Sequence, residues 1–228
     1  MKLMTVVENY LKIRSNIQKH CEEIKRNPDE ITLLVVSKTQ PAEMIKALYD
    51  FGIRDFGENK VQELIEKAQR LPGDIKWHLI GHLQTNKVKY VASFIHLVHS
   101  VDREALAAEI QKQAEKSNRI VKVLLQMRVA QEETKFGCEP EKMQELFSAV
   151  SSQKNLEIAG CMTMASFTDN AEQLDNEYKR FFRFIPETIK QNPNSIYSAG
   201  MTGDYRTAIS HGSNLVRIGT AIFGERIH

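Results

Sequence analysis

Lys38 stands directly after the apolar run Ile31-Thr32-Leu33-Leu34-Val35-Val36-Ser37 and just before Thr39-Gln40-Pro41. A β-branched run closed by a proline that opens a helix reads as a buried parallel strand with its carboxyl end at Ser37 and Lys38. Ligands of parallel α/β proteins sit at that end, where a desolvated amine can lose its proton and attack a carbonyl. A Schiff base is therefore the chemistry on offer, and a strand-end lysine that merely snorkels to water is the plainer alternative. Late in the chain, Ser198-Ala199-Gly200-Met201-Thr202-Gly203-Asp204 and Arg217-Ile218-Gly219-Thr220 place small and hydroxyl residues at two further strand ends. Glycines there let backbone N–H groups approach an anion closely, with the positive end of a helix dipole behind them.

The elements that must position these residues alternate. After a leading helix over 6–24, terminated by Asn27-Pro28-Asp29, strands are expected at 31–37, 53–57, 76–81, 95–100, 121–129, 157–164, 195–199 and 214–218. Amphipathic segments at 43–51, 60–70, 86–94, 103–116, 140–151 and 170–190 separate them. Eight strands alternating with helices in 228 residues predict parallel pairing and closure into a single (β/α)8 TIM barrel spanning 1–228, with an N-terminal helix. The glycine motifs then fall on the loops after strands seven and eight, the recurrent phosphate site of such barrels.

Composition narrows the function. With 42% hydrophobic and 26% charged residues the chain can build a core. A net charge of +2 supplies no broad field for nucleic acid or an anionic membrane. Cys21, Cys138 and Cys161 are odd in number and far apart, which indicates neither a disulfide framework nor a thiolate zinc site. No signal peptide and no run near the ~18 apolar residues of a membrane span is evident, so a cytoplasmic protein is expected.

A strand-one lysine and a phosphate cup in one barrel point to a phosphorylated aldehyde, and pyridoxal 5'-phosphate fits, covalently held on Lys38. Arg217 cannot deprotonate; set against the pyridine nitrogen it would leave that ring a weak electron sink. The segments VVSKTQP, DFGENKVQE, WHLIGHLQTNK, SVD, KFG, GCMTMA and VRIGTAIFGER, in that order from Leu33 to Arg226, resemble the pyridoxal-phosphate homeostasis protein family. The resemblance implies an alanine-racemase-type barrel (fold-type III), a cofactor held through the lysine of the VSK motif, and no firmly established reaction. Carried over by position, it implies Lys38 as the Schiff-base lysine, Asn59 in the pocket, Thr202 as a hydroxyl ligand, Arg217 facing the pyridine, and Gly219 with Thr220 as the phosphate cup. His82, Met164 and Ser198 complete the expected cofactor contacts. Gln40 stands where many members have a second lysine, His82 where proline is frequent, and Ala199 and Thr202 replace methionine and serine of the usual motif.

Other signals weigh less. His78 with His82, and His96 with His99, have metal-like spacing, but an i, i+3 pair on a strand diverges, so no metal site is assigned and His78 or His82 is read as lining the pocket. Asp55-Phe56-Gly57 lacks the companion motifs of a kinase. Phe181-Phe182-Arg183-Phe184 is read as helix packing rather than a nucleic-acid patch. Lys135 falls on the strand-five loop, at the mouth or in solvent. The expected function is a monomeric carrier that holds and releases pyridoxal phosphate, with apo-enzymes that require it as partners. One alternative is an amino-acid racemase or related enzyme, which would need a second base after strand eight where this sequence ends, and another is a phosphosugar-binding barrel with no Schiff base.

Overall fold

The computed structural model describes residues 2–130 and 136–224. The expected position of Lys135 and the end of the last family segment, at Arg226, lie outside them.

The order is α1 (Lys2–Glu23), β1 (Thr32–Val36), α2 (Ala42–Asp50), β2 (Asp55–Glu58), α3 (Val61–Arg70), β3 (Lys76–Leu79), β4 (Leu97–Val101), α4 (Glu104–Lys116), β5 (Val121–Met127), α5 (Met143–Ser151), β6 (Leu156–Thr163), α6 (Ala171–Phe184), α7 (Glu187–Gln191), β7 (Ile196–Ser198), α8 (Tyr205–Ser210), β8 (Leu215–Ile218) and α9 (Thr220–Phe223). All eight strands are parallel and close into a barrel in sequence order. The seam pairs β1 with β8, Leu34 opposite Arg217 and Val35 opposite Ile218. This is the (β/α)8 architecture that the alternation predicts.

Two helical expectations change. The segment at 86–94 forms only a 3-10 turn, Thr85–Tyr90. Val88 and Val91 are buried at the i, i+3 spacing that a three-residue turn brings to one side. The segment at 170–190 breaks into α6 and α7 because Pro186 offers no N–H and holds Ile185 in an extended conformation (ψ 129°). In α1 the buried stripe is Val6, Ile13, Ile17 and Cys21, while Leu11, and Ile24 just past the helix end, face water. Phe181 is fully buried, as a core face requires.

Strand parity divides the apolar residues into an outer core between wall and helices, which includes Leu33, Val35, Phe56, Trp77, Val98 and Val216, and a small inner filling. The filling is Leu34, Val36, Ile80 and Leu215 on one side and Leu97, Leu124, Ala159 and Met162 on the other, with Met164 packed against the second group. On β6 a register shift between Val123 and Leu124 of β5 leaves Ala159 as an extra residue, so Ala159, Met162 and Met164 all face inward. Gly160 takes φ +148° there, and a Cβ would sit 2.0 Å from Ile196 O.

Candidate cofactor site at the carboxyl ends of the strands

Leu34 and Val36 belong to the inner filling, so Lys38 has the parity of the barrel interior where β1 ends. It is half-buried, in a turn that Gln40 N closes on Ser37 O at 3.0 Å. Thr39 takes φ +64°, a left-handed conformation that costs a β-branched residue about 1–3 kcal/mol. The turn is held from outside. Lys67 Nζ donates to Ser37 O, Glu58 Oε1 and Glu63 Oε1, each at 2.7 Å. Ser37 Oγ donates to the same Glu58 oxygen at 2.6 Å, and Thr39 N donates to Glu63 Oε1 at 2.5 Å. Glu58 is fully buried, and burial pushes its carboxyl above the ordinary range against the pull of Lys67 and Ser37.

The seam brings the end of the chain to this turn. Gly219 lies so close to β1 that a Cβ would be 3.0 Å from Val36 O. Gly200 takes φ +94°, and a Cβ would meet Tyr205 Cα and Ala208 Cβ at 2.8 Å, so the loop after β7 folds tightly onto α8. Asp204 pins that loop by accepting from Met201 N at 2.6 Å and from the Tyr178 hydroxyl. The amides of Thr202 and Gly203 have no acceptor among the described residues, and the space where a Gly203 Cβ would stand is open. Thr220, exposed, begins α9, whose first amides have no intrahelical acceptor. The β7 and β8 ends thus offer an anion a cradle of backbone donors.

Inside the barrel Arg217 is 4% exposed. Its Nη1 donates to Ser198 Oγ at 2.7 Å and its Nη2 to Thr163 O at 2.8 Å, and no carboxylate pairs with it among the described residues. From Ser198 a chain of contacts runs down the barrel. Ser198 Oγ lies 3.1 Å from His99 Nδ1, His99 Nε2 lies 2.9 Å from His78 Nδ1, and His78 Nε2 lies 3.1 Å from Asp55 Oδ1. Ionised Asp55 can only accept, so with both imidazoles neutral that end assigns every hydrogen as far as Ser198, whose hydroxyl accepts from Arg217 and still has its own hydrogen to donate. Ser198 donates to His99, and both histidines are Nε2–H tautomers. Burial, then the neighbouring His78 and Arg217, keep His99 neutral by lowering its pKa well below the ordinary value. Burial alone would raise the Asp55 pKa, but the hydrogen bond from His78 and the positive charge of Lys76 bring it below normal.

The expected contacts therefore fall into groups. Lys38, Gly219 and Thr220 meet at the seam, Ser198 and Arg217 are bonded to each other, Thr202 lies on the β7 loop, and Met164 is in the inner filling. Asn59 and His82 line a separate groove of about 460 Å³ over the β2 and β3 ends with Gln84, Lys87 and Tyr90. Asn59 O would be 2.3 Å from a Cβ on Gly81, which fixes that close approach. His82 stacks on Phe136 at 3.8 Å and 18°. His78 faces the interior on β3, in the polar chain. The support from Lys67, Glu58 and Glu63, and the roles of His99 and Asp55, went unread; inward parity of His78 and His99 on adjacent strands was the available signal for that pair.

The alanine racemase N-terminal domain family matches residues 9–227. A pyridoxal phosphate homeostasis protein of Aquifex aeolicus is 41% identical over 98% of this chain and 99% of its own. The chain belongs to the pyridoxal phosphate homeostasis protein family. Among solved structures, a protein from Bifidobacterium adolescentis described as unknown superposes with a TM-score of 0.90 at 29% identity, covering 97% of this chain and 96% of its own. PipY of Synechococcus elongatus, solved with PLP bound, gives 0.76 at 31% identity over 91% of this chain and all of its own.

Proposed function

We propose that this protein binds pyridoxal 5'-phosphate at the β1–β8 seam, holds it covalently on Lys38 and releases it, as a carrier in cofactor homeostasis rather than an enzyme. One observation carries the reading. A buried guanidinium with no carboxylate partner among the described residues, Arg217, lies on the strand next to the one that ends in Lys38, with a glycine-lined set of backbone donors beside both. A buried cation lacking an anion is costly, and a ligand that brings negative charge and hydrogen-bond acceptors offsets that cost. The residues present therefore fit the cofactor. Its named relative from Aquifex and the PLP-bound PipY support the same reading.

The cofactor supplies an aldehyde that condenses reversibly with an amine and loses water. Lys38 supplies the amine from a turn whose backbone is held by Lys67 and Glu63. Thr202, Gly203, Gly219 and Thr220 hold the phosphate through short donors that need no side-chain reach. Arg217 can only donate, so a ring nitrogen held against it keeps its lone pair, and the ring withdraws electrons weakly. Asn59 and His82 line the neighbouring groove over the β2 and β3 ends rather than the seam itself. Apo-enzymes that need the cofactor are the recipients.

Borohydride reduction of the loaded protein followed by peptide mapping tests this reading. The adduct is expected on Lys38 and absent in Lys38→Ala; an undiminished adduct elsewhere overturns the site. L-Alanine incubated with loaded protein should racemise far below about 1 s⁻¹, the low end of enzyme rates, and turnover above it overturns the carrier reading.

A further inference from the structure

Three side chains that the mouth does not use meet at the opposite, amino-terminal end of the barrel. Asp55 opens β2, His78 lies on β3 and His96 stands just ahead of β4, and one donor atom from each lies within 4.8 Å of the others. The convergence that parity forbids along one strand is supplied by neighbouring strands. His96 N donates to Trp77 O at 2.9 Å, and the His78 and His96 rings lie 5.3 Å apart. Asp55 Oδ1 and His78 Nε2, at 3.1 Å, already have about the ~3.3 Å separation of two ligands on tetrahedral zinc with bonds of about 2.0–2.1 Å. His96, the third donor, is partly exposed and has its ligand atom within 4.8 Å of the other two. His99 supports His78 from behind at 2.9 Å, the kind of outer partner that orients a metal-binding imidazole. Lys76 Nζ lies 4.0 Å from Asp55 Oδ2 on a half-exposed stem and can turn to water, and Lys122 is paired with Glu157.

We propose that Asp55, His78 and His96 form a site for a divalent transition-metal ion of the zinc type. Two imidazoles and one carboxylate suit zinc and its neighbours, whereas calcium and magnesium take oxygen ligands. Water completes the coordination. The ion would act on the whole polar chain. Metal on His78 Nε2 occupies the lone pair that carries a proton in the metal-free tautomer, and no proton need be gained or lost overall. The His78 hydrogen moves to Nδ1 and is donated to His99 Nε2. His99 then carries its hydrogen on Nδ1 and donates to Ser198 Oγ, and the Ser198 hydrogen turns out of the chain. Occupancy at one end of the barrel thereby reverses the hydrogen bonds as far as the Arg217 contact at the other.

Calorimetric titration of Zn²⁺ into untagged, full-length, metal-free protein, with ¹⁵N-histidine spectra recorded at each end point, tests both parts. One Zn²⁺ per chain is expected. His96→Ala and Asp55→Ala should each weaken it by more than about a hundredfold, beyond the loss typical of an outer partner. Both variants are accepted only with wild-type circular dichroism and cooperative melting, and the milder His96→Gln serves if His96→Ala fails that check. His20→Ala, on α1, should bind as the wild type does. Zinc that binds in no 1:1 ratio, or equally well to the folded His96 and Asp55 variants, overturns the site. On saturation His78 and His99 should both change to the Nδ1–H pattern, and zinc bound with His99 still Nε2–H overturns the coupling.

Discussion

The two sites proposed at opposite ends of this barrel are built by opposite means. At the carboxyl end, binding capacity resides in main chain: glycines at 200, 203 and 219 let amides come forward, and Lys38 and Arg217 stand among them. At the amino end it resides in side chains, Asp55, His78 and His96, linked by His99 to the other end. The lesson is one of substitution. A main-chain cradle is damaged by adding atoms, whereas a side-chain cluster is damaged by removing them.

The largest expected effect lies under the carboxyl end. Lys67→Met leaves Glu58 buried with its charge unpaired and should cost about 3–5 kcal/mol in urea unfolding, with Lys67→Met/Glu58→Gln recovering most of it. A double variant no more stable than the single one would show that the pair is not what holds the Lys38 turn. Next, Gly219→Val should weaken pyridoxal phosphate at least tenfold and leave unphosphorylated pyridoxal nearly unchanged, since each charge-assisted bond lost is worth roughly 1.5–3 kcal/mol. Equal losses for both ligands would break the comparison by removing the phosphate cradle from it. At the amino end, Asp55→Ala strips the acceptor from His78 Nε2–H, partly replaced by water, for about 1–2 kcal/mol of stability by thermal melting; a neutral result would mean that water replaces the carboxylate fully and that Asp55 does not hold the chain's polarity.

The smallest effect is a pH slope. Burial raises the folded pKa of Glu58 above its ordinary 4.5, so folded protein keeps that proton where unfolded chain has lost it. Its contribution to stability is full below 4.5 and is lost as pH rises through the folded value. Urea titrations from acid toward neutral pH should show this decline, and Glu58→Gln should flatten it.

Much of the carboxyl end was legible because it follows strand-end rules that depend on local sequence. Lys38, Arg217 and Gly219 each announce themselves beside an apolar run. The amino end was not, because His78 and His96 are brought together by the register of different strands, and a rule about one strand correctly separated His96 from His99 while saying nothing across the sheet. Lys67 was hidden for a related reason: on α3 it reads as a solvated lysine until the return of the helix over β2 places it on Glu58. The failed helix at 86–94 shows the limit of periodicity in short segments, where i, i+3 spacing serves a 3-10 turn equally well.

The closing seam also orders events in time. Leu34 pairs with Arg217 across 183 positions of sequence, so nearly the whole chain must leave the ribosome before both halves of the proposed pocket can exist. At about 5–20 residues per second, that interval is on the order of ten seconds or more, during which Lys38 is an ordinary lysine. A truncated or stalled chain would carry the amine without the cradle. The capture of a reactive aldehyde proposed for Lys38 would thus be reserved for molecules that have finished folding.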